Sequence, residues 1–76
     1  MPMDKNDILQ GLSMTYGIEK AEKLLDDFIN SVGLKNKKEY TKDEIIKISE
    51  FMRSSEDRFI KIIGTTLRTQ AVFIKD

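Results

Sequence analysis

Nucleophilic and acid–base catalysis most often draws on histidine and cysteine, and this chain has neither. Their absence removes Ser-His and Cys-His pairs, thiol chemistry, disulfide frameworks and nearly all zinc sites. Proton transfer falls to carboxylates, lysine or tyrosine. The one adjacent carboxylate pair, Asp26 and Asp27, lies on a helical face where neighbours in sequence diverge, so the two cannot share a proton. Gly11 and Gly17 stand too far apart for a phosphate-cradling loop, and no Lys-Ser or Lys-Thr pair follows them. The chain therefore reads as non-enzymatic, with no cofactor expected.

A 12-residue window from Gly33 to Glu44 echoes a calcium loop of the EF-hand kind, with apolar Tyr40 eighth and Glu44 twelfth. Its ligand positions are occupied by Gly33, Lys35 and Lys37, and Lys38 stands where the turn wants glycine. Calcium needs oxygen ligands at those positions, and three lysines would repel the ion. No metal is expected there. The same residues serve a helical hairpin in which Tyr40 staples a capped helix.

The remaining pattern able to bind something is at the C-terminal end. Residues 58–76 carry four bases and one acid, against six acids and three bases over 1–32 and six of each over 33–57. On a continuous helix, Arg58, Lys61, Thr65, Arg68, Thr69, Val72 and Lys75 form one stripe. Its cations, Arg58, Lys61, Arg68 and Lys75, are the candidate anion- or partner-binding residues. Basic, hydroxyl-bearing helical faces suit phosphate contacts. Against nucleic acid stand the acidic Glu56 and Asp57 at the head of the helix, the lack of Asn on the stripe, and a formal net charge of zero. The opposite side holds Phe59, Ile62, Ile63, Thr66, Leu67, Gln70, Phe73 and Ile74, with Ile60 and Ala71 just beyond. So wide an apolar face packs on more than one neighbour, either as a central helix wrapped by the other three or with a second neighbour from another chain. Ile60, Phe73 and Ile74 are the candidate apolar interface, most simply to a second copy in a two-fold dimer.

Four helices must position these side chains. The first is expected over Lys5–Tyr16, capped by Asp4. The second runs over Ile18–Val32, with seven apolar residues in a sector of roughly 140°. Gly33 then offers a left-handed stop, and Leu34 can fold back on the last turn. The third runs over Lys42–Arg53. Thr41 and Glu44 form a capping box there, with Tyr40 and Ile45 at staple positions. The fourth starts after Ser54 or Ser55 and runs to about Ile74. The alternative is a helix that stops at Gly64 and a strand over 65–74, where β-propensity is real. The expected fold is all-α: a single domain over 1–76, built as a compact four-helix bundle or an orthogonal array of two hairpins. Its expected core is Leu12, Ile18, Leu24, Leu25, Phe28, Ile29, Ile45, Ile48, Met52, Phe59, Ile62, Ile63 and Leu67.

No run approaches the roughly 20 apolar residues of a bilayer span. The N-terminus has no apolar run of signal type. A cytoplasmic setting is the expectation, and the lack of cysteine fits it. The composition points to a small non-catalytic helical interaction module that self-associates or docks on a protein. A nucleic-acid-binding regulator using the basic face is the alternative.

Overall fold

A computed structural model describes residues 3–73. Its elements are β1 (Met3–Asp4), α1 (Lys5–Tyr16), α2 (Ile18–Ser31), β2 (Glu39–Tyr40), α3 (Lys42–Arg53) and α4 (Arg58–Val72). The fold is all-α in substance. Helices α1 and α2 form one hairpin, α3 and α4 a second, and the two share one core.

The helix ends follow local chemistry. The Asp4 carboxylate accepts the Asn6 amide at 2.8 Å and caps α1. Gly33, at φ 77°, stands where a side chain would be strained. There the Gly33 amide donates to Asn30 and the Leu34 amide to Ile29, closing a Schellman motif. Leu34 then packs on the core. At α3 the box is reciprocal: Thr41 Oγ1 accepts the Glu44 amide and Glu44 Oε1 accepts the Thr41 amide.

The fourth helix starts later than expected. Its cap is neither Ser54 nor Ser55 but Asp57, whose Oδ1 accepts the amides of Phe59 and Ile60. An anionic acceptor suits a helix N-terminus better than a hydroxyl. Ser54 instead donates to the Phe51 carbonyl at the end of α3. The helix continues through Gly64 to Val72, so residues 65–72 are helical; Ile74 lies outside the described residues. The short strands fall elsewhere. Met3 pairs with Tyr40 and Asp4 with Glu39 in an antiparallel ladder. Two-residue strands are too short for alternation to show, and sequence reading missed them.

The buried set is Ile8, Leu12, Ala21, Leu25, Phe28, Ile29, Tyr40, Ile45, Ile48, Met52, Ile60, Leu67 and Ala71. Leu24 and Ile63 pack partly buried against it. Three expected core residues are instead exposed: Ile18 at 53%, Phe59 at 58% and Ile62 at 54%. Ile18 opens α2 at the turn. Phe59 and Ile62 are exposed because α4 is turned about its axis by about 100°, one residue's worth at 3.6 residues per turn. Its buried face is Ile60, Gly64, Leu67 and Ala71.

Close approach explains that rotation. A Cβ on Gly64 would lie 2.8 Å from Met52 Cβ, 3.0 Å from the Ser49 carbonyl oxygen and 3.1 Å from the Arg53 nitrogen. The backbones of α3 and α4 thus meet across small residues, with Ser49 fully buried and donating to Ile46. Ranking faces by apolar bulk points to the phenylalanine side. Dense packing rewards the side that lets two helices touch.

Candidate interaction surface

Helix α4 presents three faces. Ile60, Gly64, Leu67 and Ala71 face the core. Arg58, Lys61 and Arg68 lie exposed on the outer side. Between these, Phe59, Ile62, Thr66, Gln70 and Phe73 follow one another at spacings of three, four, four and three residues. All five are exposed, Phe73 at 79%.

Helix α1 lies beside this third face. The Tyr16 hydroxyl donates to Asp57 Oδ2 at 2.8 Å, joining the end of α1 to the start of α4. Gly11 lies over Ile63, with room for a Cβ at 3.8 Å from Ile63 Cγ2. Between the two helices runs an open groove of about 270 Å³, lined by Gln10, Met14, Ile62, Thr66 and Gln70 among others. Met14 is 88% exposed. Four large apolar side chains, Met14, Phe59, Ile62 and Phe73, therefore mark one flank of the molecule. Sequence reading placed Phe73 there, missed Met14, and put Phe59 and Ile62 in the core. Helical spacing on α1 was the only available signal for Met14, and it gives no neighbour.

Ile60 is corrected. It was expected at the interface and is 6% exposed, in the core. Of the other candidates, Ile74 and Lys75 lie outside the described residues. Arg58, Lys61 and Arg68 form no ion pair among the described residues, where the bridges are Lys5–Asp26 and Lys37–Glu44.

Four carboxylates, those of Asp4, Asp26, Glu44 and Asp57, are committed to structure. Asp26 accepts from Lys5 Nζ and from Asn36 Nδ2, tying α1, α2 and the following loop. In the Gly33–Glu44 window, Glu44 spends Oε1 on the Thr41 amide and Oε2 on Lys37 Nζ at 2.7 Å. The Lys37 ammonium, then the Thr41 amide, hold the Glu44 carboxyl below its ordinary range. The Tyr16 hydroxyl, with the Phe59 and Ile60 amides, does the same for Asp57. Desolvation first, then the hydrogen bond and charge of Asp57, push Tyr16 up to about 12. No group of three or more metal-ligating side chains occurs among the described residues, and no helix there is long and apolar enough to cross a membrane.

These shifts set a pH dependence. A carboxyl with a depressed folded pKa contributes stability above its unfolded value and loses it as pH falls through the folded one. Urea midpoints are therefore expected to hold steady above about pH 5 and to decline below about pH 4. Glu44→Gln lowers the plateau and makes that decline shallower. An identical acid limb in both proteins would show that the Lys37–Glu44 contact contributes nothing. On the alkaline side, Tyr16 stays protonated while the unfolded chain ionises, so stability drops as pH rises past about 10.

The fold and surface define a small double-hairpin helical domain with an exposed apolar flank. No family model matches the chain, and no curated protein or solved structure matches it either.

Proposed function

We propose that this chain is a non-catalytic interaction module that self-associates through the outer face of α4 and the adjoining flank of α1. The observation that carries the reading is the convergence of Met14, Phe59, Ile62 and Phe73, each more than half exposed, on one side of a 76-residue domain. Large apolar residues scattered singly need no explanation, whereas a contiguous group marks an association surface. Gln10, Thr66 and Gln70 supply the polar contacts that ordinary interfaces mix with their apolar centre. The formal net charge of zero lets two copies meet without long-range repulsion.

Sedimentation velocity with light scattering tests this. The wild-type chain is expected to be a dimer at high micromolar concentration. Ile62→Lys should keep its helical circular dichroism and sediment as a monomer, because closing an apolar contact over an unpaired charge is costly. A wild-type chain that stays strictly monomeric ends this reading.

A second reading rests on the three exposed cations of α4, free of ion pairs among the described residues. They lie on a different side from the apolar flank, so both surfaces are open together. If they contact phosphates, affinity for random duplex falls roughly 40-fold between 50 and 200 mM salt for three contacts. Absence of binding at tens of micromolar protein in low salt removes it.

A further inference from the structure

Helix α4 turns an acid-free ridge of cations and large apolar side chains to the solvent, and we propose that this ridge lies on an anionic lipid surface, cations at the headgroups and apolar side chains at the acyl boundary. The buried side fixes where the ridge runs. Ile60, Gly64, Leu67 and Ala71 face the core, and at about 100° per residue the line opposite them passes through Arg58, Ile62, Thr69 and Phe73. Phe59 and Thr66 flank that line toward α1, with Thr65 and Val72 on its other side. Phe59, Ile62, Val72 and Phe73 are each more than half exposed. Lys61 and Arg68 stand about a quarter turn round, and their long stems carry the charge back to a plane resting on the ridge.

Charge says what the ridge meets. From Arg58 to Phe73 the chain has three cations and no acid. None of the three is in an ion pair among the described residues, where the bridges are Lys5–Asp26 and Lys37–Glu44. Asp57, just ahead of them, is committed to the Phe59 and Ile60 amides and the Tyr16 hydroxyl. The acid that lines the groove beside the ridge, Asp7, belongs to α1. On the ridge itself, Thr65 and Thr69 donate their hydroxyls to the Lys61 and Thr65 carbonyls, so those groups leave water with a partner already in place. A duplex nucleic acid would engage the cations and leave Phe59, Ile62 and Phe73 in water. Helices that lie in a lipid interface combine Lys or Arg on one side with bulky apolar residues on the other, and an anionic leaflet attracts the cations as they come within a Debye length. Contact of this kind needs no spanning helix. Self-association leaves the cations idle, whereas lipid contact uses them. One molecule offers the ridge once, so lipid and a second copy compete for it.

The chain has no tryptophan, so Phe59→Trp places a single fluorescent reporter on the ridge. Its emission and its co-sedimentation are followed with vesicles of phosphatidylcholine alone and of phosphatidylcholine mixed with phosphatidylserine, at low and at physiological salt. Binding with a blue shift is expected for the mixed vesicles only, and weaker as salt rises. Adding Arg58→Gln, Lys61→Gln or Arg68→Gln should weaken it about fivefold for each cation removed. Adding Ile62→Ser with Phe73→Ser should abolish the blue shift while the circular dichroism stays helical. Equal binding to both kinds of vesicle overturns the proposal, as does binding to neither. Undiminished binding by the serine variant overturns it too, because charge alone then holds the protein to the surface. A reporter that responds to random DNA duplex and not to vesicles makes nucleic acid the partner and ends the lipid assignment. Sedimentation without vesicles reads self-association separately, so either result stands without the other.

Discussion

Replacing Gly64 with alanine is expected to lower the thermal midpoint by about 5–15 °C, although helix propensity alone predicts a gain. In an exposed helix interior, Gly→Ala is worth about 1 kcal/mol of stabilisation. At position 64 the new methyl meets Met52 Cβ at 2.8 Å and two backbone atoms at 3.0 and 3.1 Å. None of these is the free end of a flexible side chain, so α3 and α4 must separate. Overpacking of this kind costs typically 1–3 kcal/mol, occasionally more, and here it also loosens the buried Met52 and Leu67. Against the propensity gain this leaves a net loss of about 1–2 kcal/mol, which converts to that midpoint shift for a domain of this size. Gly11→Ala is the matched control. Its Cβ finds Ile63 at an ordinary 3.8 Å, so propensity rules and the protein should gain about 0.5–1 kcal/mol. Calorimetry on the pair gives opposite signs. Equal gains in both would mean that α3 and α4 do not touch at Gly64.

Tyr40 is the second position where a single change has a large effect. Its ring is 1% exposed. Its hydroxyl donates to the Lys35 carbonyl at 2.8 Å and accepts the Lys37 amide at 2.9 Å. Its backbone pairs with Met3 in the short ladder. One residue thus anchors the loop between α2 and α3, joins it to the N-terminal strand and fills the core. Tyr40→Ala is expected to cost about 3–5 kcal/mol, against a total of about 4–11 kcal/mol for a chain of this length. That is roughly half of the total at mid-range. Tyr40→Phe keeps the ring and leaves two backbone groups unpaired, at about 1–3 kcal/mol. Denaturant titration should rank the wild type above Phe above Ala. Equal stability for Phe and wild type would show that water replaces the hydroxyl at no cost.

Self-association draws on different residues. Met14, Phe59, Ile62 and Phe73 contribute little to the core, so their substitution by polar groups should leave unfolding midpoints of the monomer within about 0.5 kcal/mol. Stability and association can therefore be measured apart.

The parts of this protein legible in its residues are those set within one turn of helix. The bounds of α1 and α3 follow from Asp4, from the reciprocal pair Thr41 and Glu44, and from where apolar spacing stops. The Gly33–Leu34 stop follows from one positive φ. Each involves groups a few residues apart, so the local sequence carries all of the chemistry. The exposed basic side of α4 was legible too, since an unneutralised charge stays in water wherever the helix packs.

The choice of buried face on α4 was a tertiary decision. Apolar bulk favoured Phe59, Ile62 and Phe73, yet α3 presents Met52 Cβ, the Ser49 carbonyl and the Arg53 nitrogen at a separation that only a glycine at position 64 fits. That distance belongs to two helices jointly and is written in neither one. Packing Ile60, Gly64, Leu67 and Ala71 inward turned the phenylalanines out and drew Ile60 away from the surface. The same rotation set Ile62 beside Met14 across the groove between α1 and α4. Short-range hydrogen bonding thus determined where each helix begins and ends, while the contact distance between helices decided which side of the last one meets water.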